Sequence, residues 1–223
     1  MSGQDSQNPY LSAMGIQEYV PRIVAEGHED LPVQTCQTPN AGTWEELRST
    51  VSVCARCSLH ETRTQTVFGV GRTDAEWLFI GEAPGEQEDL RGEPFVGRAG
   101  QLLDEMIRAL GLERENVFIA NVLKCRPPKN RDPSAQEAEA CEPFLVEQVR
   151  LVAPKIIVAV GRIAAQNLLK TQTPIGKLRG VVHRYQDTPV VVTYHPAYLL
   201  RSQTEKRRAW EDLKLARRVA KES

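Results

Sequence analysis

Downstream of residue 70 the chain alternates between two rhythms. Short, almost wholly apolar runs are each followed by a stretch in which apolar residues return every three or four positions. The runs Trp77-Leu78-Phe79-Ile80, 116–123 (NVFIANVL), 155–160 (KIIVAV) and 189–194 (PVVVTY) predict four strands. KIIVAV is apolar beyond its first residue, as a strand covered on both faces should be. Residues 99–110 (AGQLLDEMIRAL) have helical spacing and stop at Gly111, a C-terminal helix signal. Ser134 with Glu137 makes a capping pattern that opens a helix through about Leu151. Gly161 to Leu169 predicts another helix, and residues 205–221 a basic amphipathic one. Upstream, Thr43 and Glu46 repeat the capping pattern and open a helix through about Val53. This alternation implies a three-layer α/β/α sandwich around a central, mostly parallel, four-stranded sheet.

Residues 1–42 break the pattern, being rich in Gln, Ser, Thr, Pro and Asn. They read as a flexible N-terminal extension with one short helix near Ile16–Val24 and a free thiol at Cys36. Docking of another protein is one role such a tail could serve. Residues 43–223 then form a single domain. An apolar content of 41% and a charged content of 26% suit an ordinary globular protein. No run approaches the ~18 apolar residues of a spanning helix. The start, MSGQDSQNPY, has neither the basic nor the apolar region of a secretory signal. The expected location is the cytoplasm, with no membrane partner.

The net charge of −1 conceals an uneven distribution. The first 50 residues carry seven acids and two bases, so the remainder is basic. Lys124, Arg126, Lys129 and Arg131 fall within eight positions that hold no acid. From Arg201 onward there are eight bases and four acids. Such patches can meet phosphates; they can equally be solvated faces.

In open α/β sheets, sites form at the carboxyl ends of strands. Three predicted strands end in unusual polar sequence: Ile80 runs into GEAPG, Asn121 lies in the last turn of its strand, and Tyr194 runs into HPAYLLR. The first continues as GEAPGEQEDLRGEPFVGRAG (81–100), with acids Glu82, Glu86, Glu88, Asp89 and Glu93, five glycines and one exposed-looking aromatic, Phe95. On composition alone, those acids could face solvent and Phe95 could be core. Cysteines are five, an odd number that points away from a disulfide framework. Cys54 and Cys57 form a C-x2-C pair, and Cys125 and Cys141 follow. Four thiolates can hold zinc or an iron–sulfur cluster, and spacing does not choose between them. A redox C-x2-C pair would leave Cys125 and Cys141 without a role. Gly69-Val70-Gly71 and the glycine loop complete neither a P-loop nor a dinucleotide fingerprint.

The segments GEAPGEQEDLRGEPFVGRAGQLLDEMI, NVLKCRPPKNRDP and HPAYLLR, with the cysteine spacing and the order of elements, closely resemble the family 4 uracil-DNA glycosylases, which carry an iron–sulfur cluster. The resemblance runs from about Trp44 to Lys221 and leaves residues 1–42 outside it. It implies an enzyme that flips uracil out of single- or double-stranded DNA and hydrolyses its N-glycosidic bond, leaving an abasic site. It also implies a monomer with a 4Fe–4S cluster on Cys54, Cys57, Cys125 and Cys141.

Breaking the glycosidic bond builds positive charge on the sugar and negative charge on the departing base. By resemblance, Glu82 supports the sugar cation or orients the attacking water, with Glu88 as second candidate. Phe95 resembles the aromatic that stacks on the extruded base. Asn121 resembles the amide that reads uracil's Watson–Crick edge, and His195 the donor to uracil O2. Ala83, where some relatives have Gly, offers backbone N–H beside the base, and Asn130 brings another polar group. The basic set Lys124, Arg126, Lys129, Arg131 and Arg201 would contact DNA phosphates. No lysine matches a Schiff-base nucleophile, so the implied enzyme is monofunctional. KCRPPKNRDP carries no inserted histidine loop, which argues against covalent capture of DNA. The alternative is a non-catalytic iron–sulfur or zinc module that binds nucleic acid on the same fold.

Overall fold

The computed structural model describes residues 42–222. The extension, its helix and Cys36 lie outside the described residues. The first helix, α1 (Trp44–Ser52), opens with the expected capping box: the Thr43 hydroxyl accepts from the Glu46 N–H, and the Glu46 carboxylate accepts from the Thr43 N–H. The sheet follows. Its strands are β1 (Val70–Gly71), β2 (Trp77–Gly81), β3 (Phe118–Asn121), β4 (Ile156–Val160), β5 (Val182–Tyr185) and β6 (Thr188–Thr193), in the spatial order β1-β3-β2-β4-β6-β5. The four expected strands make the parallel centre, β3-β2-β4-β6.

The expected strand count needs correcting: among the described residues the sheet has six strands, with β1 antiparallel to β3 and β5 antiparallel to β6 at the two edges. β1 has only two residues, too few to show alternation. β5 (VHRY) is polar and largely exposed, so it lacks the apolar signature of its neighbours.

Side chains alternate across the central strands and build two cores. Leu78, Ile80, Phe118, Ile157 and Val190 face one layer, containing α1, α4 (Ala135–Val152) and α5 (Arg162–Leu168). Phe79, Ile119, Val158 and Val191 face the other, containing α3 (Arg98–Ala109) and the long C-terminal helix α8 (Lys206–Glu222). α4 carries the second capping box, Ser134 with Glu137, where expected. Three short helices at or near strand ends escape the sequence pattern: α2 (Glu86–Arg91), α6 (Ile175–Leu178) and α7 (Pro196–Arg201). Among the described residues no helix is long and apolar enough to cross a membrane.

Candidate active site and cysteine cavity

A cleft of about 840 Å³ opens where β2, β3, β4 and β6 end. Its lining draws together Glu82, Ala83, Glu88 and Phe95 from the loop and helix after β2, Asn121 from the end of β3, and His195 from the loop after β6. Asn130, Arg131 and Arg201 line it as well.

Phe95, exposed-looking in the sequence, is 7% exposed. Its backbone has φ 54°, a left-handed conformation that costs a non-glycine residue energy and must be held in place. Several contacts hold it. Glu88 accepts from the N–H groups of Val96 at 2.9 Å and Gly97 at 3.1 Å. Arg114 donates to the Pro94 carbonyl at 2.6 Å and pairs with Asp104 at 2.8 Å. A methyl group on Gly100 would collide with the Phe95 carbonyl. A methyl on Gly81 would overlap both the Phe95 ring and Asn121 Oδ1, so glycine there is what lets the two approach. Glu88 thus has a bonded task, fastening the aromatic loop, in addition to facing the cleft.

Asn121 is 2% exposed, and among the described residues its Oδ1 is a buried acceptor with no hydrogen-bond partner. Such orphans are rare, because leaving one costs ~1–3 kcal/mol. Here the orphan faces a cleft with room for a donor.

His195 caps the N-terminus of α7: its Nδ1 accepts from the Ala197 N–H at 3.1 Å. That bond leaves Nε2 to carry the proton of the neutral ring. Burial, and secondarily the Arg201 charge, pull the ring down to about 4, with Glu88 acting the other way. The imidazole is therefore neutral at pH 7 and a donor through Nε2. It lies 5.7 Å from the Phe95 ring, inclined by 29°. Gly161 (φ 99°) leaves the space His195 needs, since a methyl there would approach its Cβ to 2.9 Å.

Glu82 is pushed up to about 7, first by burial and then by Asp132, while Arg162 acts the other way. Asp132 and Arg162 pair at 2.7 Å and both line the cleft. Sequence reading missed them. The signal was available, because Gly161-Arg162 follows the carboxyl end of β4.

Of the basic residues expected to meet DNA, Arg201 and Arg131 stand at the cleft, and Lys129 is exposed beside it. Arg131 also makes a two-pronged bond to Glu137 at 2.6 and 2.8 Å. Arg126 donates to Asn130 Oδ1 at 2.8 Å. The expectation for Lys124 is corrected: it is 1% exposed and cannot reach a phosphate. Its ammonium is satisfied internally, by the Asn121 carbonyl and Gln148 Oε1.

The four cysteines Cys54, Cys57, Cys125 and Cys141 line a second, small cavity on the α1–α4 side, and none of the four is in a disulfide. Burial pushes Cys141 up to about 12 and raises Cys54 and Cys125 as well. Donors already address two sulfurs: Arg63 reaches Cys125 Sγ at 3.0 Å, and the Lys124 N–H reaches Cys141 Sγ at 3.3 Å. Among the described residues no three His, Cys, Asp or Glu side chains form a group that could hold a single metal ion. Cys125 and Cys141 are fixed by core packing in the same cluster as α1. Asp89, read in the sequence only as one of the loop acids, is 3% exposed and accepts from the Thr64 N–H at 3.0 Å, tying the segment after Cys57 to α2.

The family model for the uracil DNA glycosylase superfamily matches residues 68–214. Among individual relatives, a type-4 uracil-DNA glycosylase of Archaeoglobus fulgidus is 47% identical over 70% of this chain and 82% of its own. One from Sulfurisphaera tokodaii is 44% identical over 79% and 84%, and one from Thermotoga maritima 43% identical over 80% and 97%. The chain belongs to the type-4 uracil-DNA glycosylases.

Proposed function

We propose that this protein removes uracil from DNA by hydrolysing its N-glycosidic bond and leaves the strand uncut. The observation that carries this reading is the orphaned Asn121 acceptor, buried in one cleft with Glu82, Phe95 and His195. An extruded uracil stacks on Phe95, a contact worth about 1–3 kcal/mol. Its N3–H supplies the donor that Asn121 Oδ1 lacks, and its O4 takes the Asn121 amide. Cytosine presents the reverse pattern and leaves buried groups mismatched, which a polar site rejects strongly. Nε2–H of the neutral His195 donates to O2 and stabilises the departing anion without first losing a proton. Ionised Glu82 supports the sugar cation and orients water at the anomeric carbon. Arg126, Lys129, Arg131 and Arg201 contact the phosphates of single- or double-stranded DNA. Residues 43–223 form the catalytic domain.

The same reading places a 4Fe–4S cluster among Cys54, Cys57, Cys125 and Cys141. All four line one cavity, and the sulfur-directed donors, the Arg63 guanidinium and the Lys124 backbone N–H, suit thiolates. Bound there, a cluster supplies a covalent cross-link between the C-x2-C segment, the turn after β3 and α4, or a relay for electrons.

The deciding assay uses a labelled oligonucleotide with one uracil, incubated with the protein. Hot alkali should produce a nick at that uracil, and no nick should appear before alkali. An intact cluster with no alkali-dependent nick returns the reading to a nucleic-acid-binding module. The purified protein should be brown and hold about four irons per chain; colourless protein with stoichiometric zinc refutes the cluster.

A further inference from the structure

Lys124 sits in a basic run, where a lysine ordinarily faces water, yet it is almost completely enclosed. Its ammonium donates to the backbone carbonyl of Asn121 and to Gln148 Oε1, both at 2.6 Å. Gln148, fully buried in α4, extends the tether by donating to the Phe68 carbonyl at 2.7 Å. The Lys124 backbone is held too: its N–H donates to Cys141 Sγ, and its carbonyl accepts from the Val67 N–H at 2.7 Å. Between Asn121 and Lys124, the N–H groups of Val122 and Leu123 donate to the carbonyls of Gly81 and Glu82 at 2.9 and 3.0 Å. One four-residue segment therefore carries the orphaned amide at one end and braces the Glu82 loop in its middle. Its other end adjoins Cys125. Burying a cation is costly unless its donors are met, and both acceptors of the ammonium belong to elements that border a site: Asn121 ends β3 at the cleft, and α4, which carries Gln148, also carries Cys141.

We propose that Lys124 is a positioning residue. Its ammonium clamps the end of β3, so that Asn121, and through Val122 and Leu123 the backbone of Glu82, keep their places against the cysteine cavity. The kinetic arm of the test rests on the uracil-release reading; the exchange arm does not.

Lys124→Met keeps the length and apolar packing of the side chain while removing its donors. Wild type and variant, each full-length and as purified, are compared for iron content, for amide hydrogen exchange at Val122 and Leu123, and for kcat and KM on a uracil oligonucleotide. The expected variant holds iron as the wild type does, exchanges those two amides at least about tenfold faster, and loses about 10- to 100-fold in kcat/KM, mainly in kcat. Unchanged exchange and rate in an iron-loaded variant overturn the proposal. So does an activity loss that only tracks lost iron. Should Lys124→Met fail to fold, Gln148→Leu, which removes the second acceptor, is measured in the same way, and unchanged exchange at Val122 and Leu123 overturns it. If the wild type releases no uracil, the functional reading fails, while the exchange data still decide the role of Lys124.

Discussion

In the proposed reaction Glu82 acts ionised, and burial with Asp132 nearby holds its carboxyl at about 7. Below pH 7 the folded protein keeps that proton; above it the carboxylate forms. The acidic limb of kcat/KM should therefore rise about tenfold per pH unit up to pH 7 and level off beyond it. Glu82→Gln should flatten that limb and lower the rate by about 10²–10⁴-fold, read from initial rates across pH 5–9. A second residue-level prediction concerns Gly81. Gly81→Ala drives a methyl into Asn121 Oδ1 and the Phe95 ring, so uracil release should fall by about 100-fold or more while the far-ultraviolet circular dichroism stays unchanged. At this scale the sequence revealed which residue types gather, because their motifs are contiguous. It did not reveal their burial. The sequence pattern does not distinguish an exposed Phe95 from one enclosed by Glu88, Arg114 and Gly100, or a surface Lys124 from one satisfied by Gln148, because the enclosure depends on how the 81–100 loop folds back on itself and on Arg114 and Gln148 arriving from other segments.

The elements divide by how they are buried. β2, β3, β4 and β6 were legible because both faces are covered, which makes their sequences continuously apolar. α1, α3, α4 and α8 were legible from apolar spacing and from two capping boxes. α2 was not: six residues between glycines, with three acids and a single large apolar side chain, Leu90, that is itself exposed, present no periodicity. Its burden falls instead on Asp89 and Glu88, whose carboxylates bind backbone N–H groups of two other segments. The cap of α4 offers a test of an element whose start borders the cleft. Ser134→Ala removes the acceptor for the Glu137 N–H and should cost about 1 kcal/mol, measured as a lower urea midpoint with unchanged slope. Arg131 stays bonded to Glu137 in that variant, so uracil release should persist.

For the whole molecule, a net charge of −1 gives no global attraction to DNA, so the proposed binding rests on local cations such as those beside the cleft. The logarithm of the affinity for a uracil oligonucleotide should fall linearly with the logarithm of salt concentration. Arg201→Ala should reduce the magnitude of that slope by about one, as expected for one lost phosphate contact, measured by fluorescence anisotropy across a salt series. An unchanged slope would remove Arg201 from the phosphate-binding set.

The two edge strands have a consequence of another kind. β1 offers only two residues and is backed by Gly71, where a side chain would strike the Val117 carbonyl. β5 ends the opposite flank with a short run containing Arg184 and His183. Neither rim presents a long, flat, greasy template onto which a neighbouring chain could stack. Four largely apolar strands are thus sealed off sideways as well as above and below. Concentrated solutions of the folded protein should resist fibril formation, and clumping should begin only once those rims unzip.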